Sequence, residues 1–421
     1  MPGILDELAW RGLIAQTTDR AALRGALVAG PITYYCGFDP TAPSLHIGNL
    51  VQVLTLRRLQ MAGNHPIGVV GGATGLIGDP KMTGERLLND PDVVAGWVER
   101  IRAQIAPLLD FEGPFAATMA NNLDWTSGMT AIGLLRDIGK HFRMSTMLAR
   151  ETVAARMASD QGLSYTEFSY QVLQAMDFLE LRRRYNCVLQ TGGNDQWGNL
   201  VAGVELIRRT DGVAAHALTT PLITKADGTK FGKTESGTVW LDPSMTSPYA
   251  FYQFWLNTDD RDVAAYLRVF TFRTAEEIAA LAREVEEHPE RREAARTLAR
   301  DVTALVHGAA ACEAAIEASL ALFGRGDLAG LDAATLGAVV AGLGSVTVDE
   351  VDPLVVDLFA GAGLERGKGA ARRTMAEGGL YVNNVKISDP ESRLGQDDWL
   401  HGRYALLRRG RRSLAVAERR C

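Results

Sequence analysis

The stretch that most constrains this chain runs from residue 32 to residue 61. Residues 32–38 are apolar, aromatic and β-branched, with Ile32, Tyr34, Tyr35 and Phe38 among them, and read as a buried strand. Pro40 and Pro43 then turn the backbone, and residues 50–61 carry a helix-like pattern. A strand, a proline turn and a helix start in direct succession belong to a Rossmann-type sheet, which presents ligand-binding groups at the carboxyl ends of its strands. The first turn of such a helix offers unpaired backbone N–H groups and the positive end of the dipole, both suited to phosphate. His46 adds a donor just ahead of it. The stretch predicts a site for the phosphates of ATP.

The same signature recurs downstream. Residues 66–71 read as a strand running into Gly71, Gly72, Gly75 and Gly78, with Asp79 as an isolated carboxylate behind them. Those glycines fit close approach of backbone to a ligand and tight helix packing equally well. Residues 115–120 read weakly as a further strand. Residues 129–159 are mostly helical in pattern and suit an insertion and a dimer surface. In the helix-like segment 164–181, Tyr170, Gln174 and Asp177 fall at i, i+4 and i+7, on one face. A strand over 186–190 ends in Gly192, Gly193, Asn194, Asp195, Gln196 and Trp197, again a ligand edge. A last strand, 216–223, leads into a glycine-bearing loop that holds Lys225, Lys230 and Lys233. Residues 1 to about 30 read as amphipathic helix, with no chemistry assigned.

Composition narrows the class. At 421 residues, 47% hydrophobic and 22% charged, the chain is an ordinary soluble globular protein of about two or three domains. No apolar run suits a membrane span or a secretory signal, so a cytoplasmic location is expected. The four cysteines are far apart and form no metal or redox spacing. Residues 353–421 carry 13 Lys and Arg against 8 Asp and Glu, a net +5 that leaves −11 on the rest of a chain of net charge −6. A basic tail on an acidic body suits a polyanion partner, although a solvated charged surface has the same composition. Only seven residues are lysine, and three of them fall within nine residues at 225–233, where compact point charges are wanted.

Taken together these stretches resemble the bacterial tyrosyl-tRNA synthetases, a class I aminoacyl-tRNA synthetase family, over nearly the whole chain. The residues that carry the resemblance are His46, Ile47, Gly48 and Asn49 for the HIGH box, Lys230, Phe231, Gly232, Lys233 and Thr234 for the KMSKS loop, and Gly193, Asn194, Asp195 and Gln196. The basic tail is similar to an RNA-binding domain shared with a small-subunit ribosomal protein, through residues 367–373 and the strand at Tyr381, Val382 and Asn383. Asn49 departs from the second histidine of the box and cannot titrate. Phe231 and Gly232 replace Met and Ser of the loop, and Thr234 its last Ser.

The resemblance implies an α/β fold. A Rossmann-type parallel-sheet catalytic domain spans 1–245 with a helical insertion around 125–160. A helical domain (246–325), a linker (326–350) and a small α+β RNA-binding domain (351–421) follow. It implies tyrosine activation by ATP and transfer to tRNA(Tyr). Thr41, His46, Lys230, Lys233 and Thr234 would stabilise the reacting phosphates. Tyr35 and Asp177 would meet the substrate hydroxyl, Asp79, Tyr170 and Gln174 its ammonium, with Gln190 and Gln196 completing the pocket. Cys36, Gly37, Asp39, Gly48, Asn49, Gly193, Asp195 and Lys233 would hold ATP or the adenylate, Cys36 having a plain structural thiol as its competing reading. Lys368, Arg372 and Arg373, with Arg408, Arg409, Arg411 and Arg412 behind them, would meet tRNA phosphates. ATP is a substrate that brings Mg2+ with it; no tightly bound cofactor, dedicated metal cage or membrane partner is expected, and a homodimer is. The rival functions are a tryptophanyl-type synthetase, whose indole would leave Tyr35 and Asp177 without a phenol, an enzyme adenylating a small carboxylate without RNA, and a non-catalytic RNA-binding protein.

Overall fold

The computed structural model describes residues 3–80, 84, 88–160, 162–229, 231–234, 237–324, 326–410 and 413–420, with only the backbone described at Lys233 and Thr234. Packing divides the chain into two compact units, residues 1–245 with 259–294, and residues 246–258 with 295–421.

The first unit is built on a six-stranded sheet: β1 (Gln16–Thr17), β2 (Thr33–Phe38), β3 (His65–Val70), β4 (Thr118–Asn121), β5 (Cys187–Gly193) and β6 (His216–Thr220). Their order is β1-β6-β5-β2-β3-β4, all parallel except β1, which runs antiparallel to β6. The inner strands are buried on both faces, which is why they read as near-continuous apolar runs rather than alternating ones. Strand β2 is the pivot: its successor β3 lies on one side and β5 on the other. That reversal opens a crevice beyond the carboxyl ends of β2 and β5.

Four helices position the site. Helix α1 (Ile47–Met61) follows β2 and is buried on most sides, from Ile47 to Gln60. Helix α2 (Tyr165–Tyr185) starts on the Ser164 hydroxyl, which accepts from Glu167 N–H, and ends at Asn186 in the left-handed conformation. Helix α3 (Trp197–Asp211) packs along it, with Gly203 under Phe178. Helix α4 (Asp260–Phe270) is held at its carboxyl end by two buried arginines. Arg58 Nη2 donates to the carbonyls of Val269 (2.7 Å) and Thr271 (2.8 Å), and Arg11 Nη1 to that of Arg268 (2.9 Å). Cations at this end complement the helix dipole.

Three expectations are corrected. The N-terminal segment is not one helix: helix Ile4–Trp10 stops before Gly12, at φ +75°, and Arg20–Ala29 starts anew on the Asp19 cap. The last strand of the sheet ends at Thr220, because Pro221 has no N–H to donate. The stretch 326–350 is not a linker. It supplies a helix and the outer strand of the second unit's sheet, with Val348 and Val340 in its core.

That second sheet contains β7 (Gly344–Val348), β8 (Leu380–Val382), β9 (Val385–Lys386), β10 (Tyr404–Arg409) and β11 (Ser413–Arg419), in the order β9-β8-β10-β11-β7. Strand β7 pairs with β11 in parallel, more than sixty residues away in sequence. Asn383 and Asn384 turn the β8–β9 hairpin with positive φ at both positions, the conformation such a turn requires. Helices α5 (Val355–Gly361) and α6 (Lys368–Ala376) close one face over Phe359, Ala371 and Met375. Among the described residues no helix is long and apolar enough to cross a membrane.

Candidate functional site

A cavity of ≈ 490 Å³ opens at the carboxyl edge of β2 and β5. It brings together Tyr35, Cys36, Gly37, Asp39, Thr41, His46, Gly48, Asn49, Asp79, Tyr170, Gln174, Asp177, Gln190, Gly193, Asp195 and Gln196. Lys230 lies outside the described residues, as do the side chains of Lys233 and Thr234.

At the deep end Tyr35 is 2% exposed and its hydroxyl has no hydrogen-bond partner. Burial pushes that phenol well up, and the Asp177 charge pushes it further. Asp177 is held from both sides: Trp125 Nε1 donates to Oδ1 (2.8 Å) and Asn122 Nδ2 to Oδ2 (2.9 Å). Burial, only partly offset by those bonds, pushes the Asp177 carboxyl up to about 7. Gln174 Oε1 and Gln190 Oε1 are also buried without partners. Polar groups left unmade in this way are costly unless a ligand satisfies them.

A second polar cluster surrounds Tyr170. Its hydroxyl donates to Asp39 Oδ2 (2.6 Å), and Thr74 donates to Asp39 Oδ1 (2.7 Å). Asp39, Asp79 and Asp177 all raise the Tyr170 phenol electrostatically, so this region is strongly negative. Gln196 Nε2 (3.0 Å) and Asn199 Nδ2 (3.3 Å) donate to Asp79. Such a field suits a cationic ammonium.

His46 caps α1. Its Nδ1 accepts from Gly48 N–H (3.0 Å) and Asn49 N–H (3.3 Å), while Asn49 Oδ1 accepts from His46 N–H. With Nδ1 an acceptor, the ring proton sits on Nε2. Burial lowers the His46 pKa, so the imidazole is a neutral donor at neutral pH. Asn49, the departure from the HIGH box, completes this capping box with its oxygen and keeps its NH2 group as a donor. Gly48 is required here: a Cβ would lie 2.8 Å from the imidazole. Cys36 has its thiol pushed up to about 12 by burial, which removes thiolate chemistry and leaves a weak donor. The glycines after β3 resolve largely as packing, with Gly72 against Asn121 and Gly75 against Pro40.

Sequence reading missed Asn122, Trp125, Thr74 and Asn199. Asn122 links the two clusters, since its Nδ2 also lies 2.9 Å from Thr74 Oγ1. The signal was present: Asn121 ends β4 and Asn122 follows it, at the same sheet edge that supplied the other site residues.

In the second unit Lys368 pairs with Asp357 (2.8 Å) and Arg372 with Glu391 (3.4 Å), both exposed pairs, and Arg373 is exposed on the same helix. Arg408 lies over the Tyr381 ring at 3.9 Å, and Arg409 pairs with Glu365. Arg411 and Arg412 lie outside the described residues.

The sheet, its switch-point cavity and the histidine-capped helix fit an enzyme that activates a carboxylate with a nucleotide. A family profile for class I tRNA synthetases of the tryptophan and tyrosine group matches residues 28–324, which sets the class. A second profile, for a tyrosine–tRNA ligase C-terminal domain, matches residues 336–417. The chain is 63% identical over 419 residues to a tyrosine–tRNA ligase from Streptomyces avermitilis, covering 99% of each. It is 61% identical to one from Acidothermus cellulolyticus over the full length of both. In structure it is similar to a C-terminally truncated mitochondrial tyrosyl-tRNA synthetase from Coccidioides posadasii, with TM-score 0.66, 31% identity, and coverage of 75% of this chain and 91% of that one. The chain belongs to the tyrosine–tRNA ligase family.

Proposed function

We propose that the cavity binds tyrosine and ATP, forms tyrosyl-adenylate and pyrophosphate, and passes the tyrosyl group to a ribose hydroxyl of the terminal adenosine of tRNA(Tyr). The observation that carries this reading is the partnerless Tyr35 hydroxyl, buried in the field of Asp177. A phenol can both donate and accept there; phenylalanine leaves it stranded, and an indole supplies a donor but no acceptor. The tryptophanyl-type alternative and the RNA-free adenylating enzyme are not favoured by near full-length tyrosine–tRNA ligase relatives.

In this reading the substrate phenol lies between Tyr35 and Asp177, and its ammonium among Asp79, Tyr170 and Gln174. Gln190 and Gln196 complete the pocket. The tyrosine carboxylate oxygen attacks the α-phosphorus, and the bond to the bridging oxygen of pyrophosphate breaks. His46 Nε2–H and Thr41 stabilise charge on the leaving group together with Lys230, Lys233 and Thr234. Cys36, Gly37, Asp39, Gly48, Asn49, Gly193 and Asp195 surround the nucleotide. Mg2+ enters with ATP; the carboxylates of Asp39, Asp79 and Asp177 each accept side-chain hydrogen bonds already.

The state of Asp177 gives a test. Each of its oxygens already accepts one donor, so the phenol O–H is best received by the ionised form. Tyrosine affinity therefore rises as pH rises through about 7. Titrations of tyrosine from about pH 6 to about pH 8 read this directly, and Asp177→Asn removes the dependence. A flat profile in the native chain contradicts the assignment. The same shift costs stability: between 3.8 and about 7 the native state holds a proton the unfolded chain releases, so stability falls as pH rises through that window.

Lys368, Arg372 and Arg373 are assigned to tRNA phosphates; Lys368 and Arg372 are themselves exposed, and the exposed Glu391 is displaced at little cost. Replacing all three by alanine leaves ATP–pyrophosphate exchange unchanged and raises KM for tRNA. The salt slope of binding becomes shallower by about one for each phosphate no longer neutralised. Unchanged tRNA affinity contradicts this. A cytoplasmic homodimer completes the proposal, formed through the surface that exposes Ile132 (71%), Leu135 (56%) and Met144 (58%). Ile132→Glu with Leu135→Glu then halves the mass on gel filtration, and an unchanged elution contradicts that surface.

A further inference from the structure

Phe231 stands where the KMSKS signature of the class has methionine, and the two-step reaction gives it no task. Its ring is stacked on Phe270 (centroids 5.2 Å, 24° between planes) and meets the Tyr266 ring at 5.0 Å and 63°. Phe270 and Tyr266 are themselves edge to face at 6.1 Å. Both belong to α4, whose carboxyl end is held by Arg11 and Arg58. The same helix holds the approach to the loop: Asp262 accepts from Ala226 N–H (3.1 Å), and the Tyr266 hydroxyl donates to the Thr224 carbonyl (3.3 Å).

The next residue is fixed from the other side. Gly232 has φ +80°, and a Cβ there would lie 3.0 Å from Ile47 Cγ1, at the first residue of α1. Its carbonyl accepts from Val239 N–H (3.0 Å), the Val239 carbonyl from Ile47 N–H (3.1 Å), and the Leu45 carbonyl from Leu241 N–H (2.8 Å). Residues 231–232 are thus laced to α4 on one side and to the His46 segment on the other.

We propose that Phe231, seated between Phe270 and Tyr266, is a positioning residue for the ATP-dependent step. Its ring fixes the Phe231–Gly232 peptide against the start of α1, and so fixes the points on the chain from which Lys230 and Lys233 depart. An aromatic ring has two side-chain torsions and a flat face, and it holds position better than the flexible thioether of methionine. This inference rests on assigning the lysine loop to the phosphates. Phe231 touches no substrate in this scheme and acts only through the backbone it anchors.

The test is ATP–pyrophosphate exchange with the full chain. Phe231→Ala is expected to lower kcat on the order of 10-fold to 100-fold, as misplaced charge does, with tyrosine affinity within about twofold of native. In a Phe270→Leu background the loss from Phe231→Ala should shrink to a small fraction, because the two rings act as one unit. Should Phe231→Ala not fold, Phe231→Leu is read in its place. An exchange rate within about twofold of native, an equal loss of tyrosine affinity, or additive effects of the two substitutions overturns the proposal. Lys233→Ala separates this failure from that of the reading beneath it: undiminished exchange there rejects the loop's assignment to phosphate, whereas slow exchange with an intact Phe231→Ala rejects only the anchor.

Discussion

Replacing Asp177 by alanine lowers kcat/KM for tyrosine activation on the order of 10²-fold. The phenol loses a charge-assisted acceptor, at about 1.5–3 kcal/mol. Trp125 Nε1 and Asn122 Nδ2 lose the carboxylate in the free and the tyrosine-bound enzyme alike, so their cost of about 1–3 kcal/mol falls on stability. The damage also spreads. Asn122 is the link to Thr74, and Thr74 donates to Asp39, so the ammonium cluster loses part of its support. KM for tyrosine should carry most of the change, and KM for ATP little. Exchange kinetics at varied tyrosine and at varied ATP separate the two. A loss confined to kcat contradicts the placement of the phenol beside Asp177.

The largest effect on stability is expected at Arg156, which does not line the cavity. Its side chain is 1% exposed and pairs with Glu167, 2% exposed, at 2.8 Å. It also donates to the carbonyls of Gly162 (3.1 Å) and Gly84 (2.8 Å), so it ties α2 to the polypeptide on both sides of helix Glu151–Met157. Arg156→Met leaves a carboxylate in the core without its counter-charge and lowers stability by about 3–5 kcal/mol. Arg156→Met with Glu167→Met recovers most of that, since an apolar pair of similar volume avoids burying charge. Urea unfolding of the native chain and the two variants measures both statements. A single mutant as stable as the native chain contradicts them.

Much of the site was legible because its signal is local. A buried parallel strand is a short apolar run, and whatever follows its carboxyl end faces the ligand crevice. His46 follows β2, and the run from Gln190 to Gln196 closes β5, so both stood out, whereas Tyr35, inside β2, and Asp39, just after it, entered only through the family resemblance. Tyr170, Gln174 and Asp177 stood out by helical spacing. Asn122 and Trp125 did not, because the strand before them is short and only half-buried. Their role comes from bonds to Asp177, more than fifty residues later in the chain. Residues 326–350 were misread for a related reason. Glycines and small side chains there imitate a linker, but Gly344–Val348 becomes a strand by pairing with Ser413–Arg419. Nothing near residue 346 in sequence announces that partner. The basic tail shows the opposite limit: its net charge was plain in the composition, but the ring of Tyr381 under Arg408 and the Glu365 carboxylate beside Arg409 were not.

The central claim is that this cavity selects tyrosine and activates it for tRNA. ATP–pyrophosphate exchange with tyrosine, phenylalanine and tryptophan in separate reactions, followed by charging of total tRNA, tests it most directly. Exchange with tyrosine alone, and tyrosine appearing on tRNA, is the predicted result. Comparable exchange with tryptophan or phenylalanine, or none with tyrosine, contradicts it.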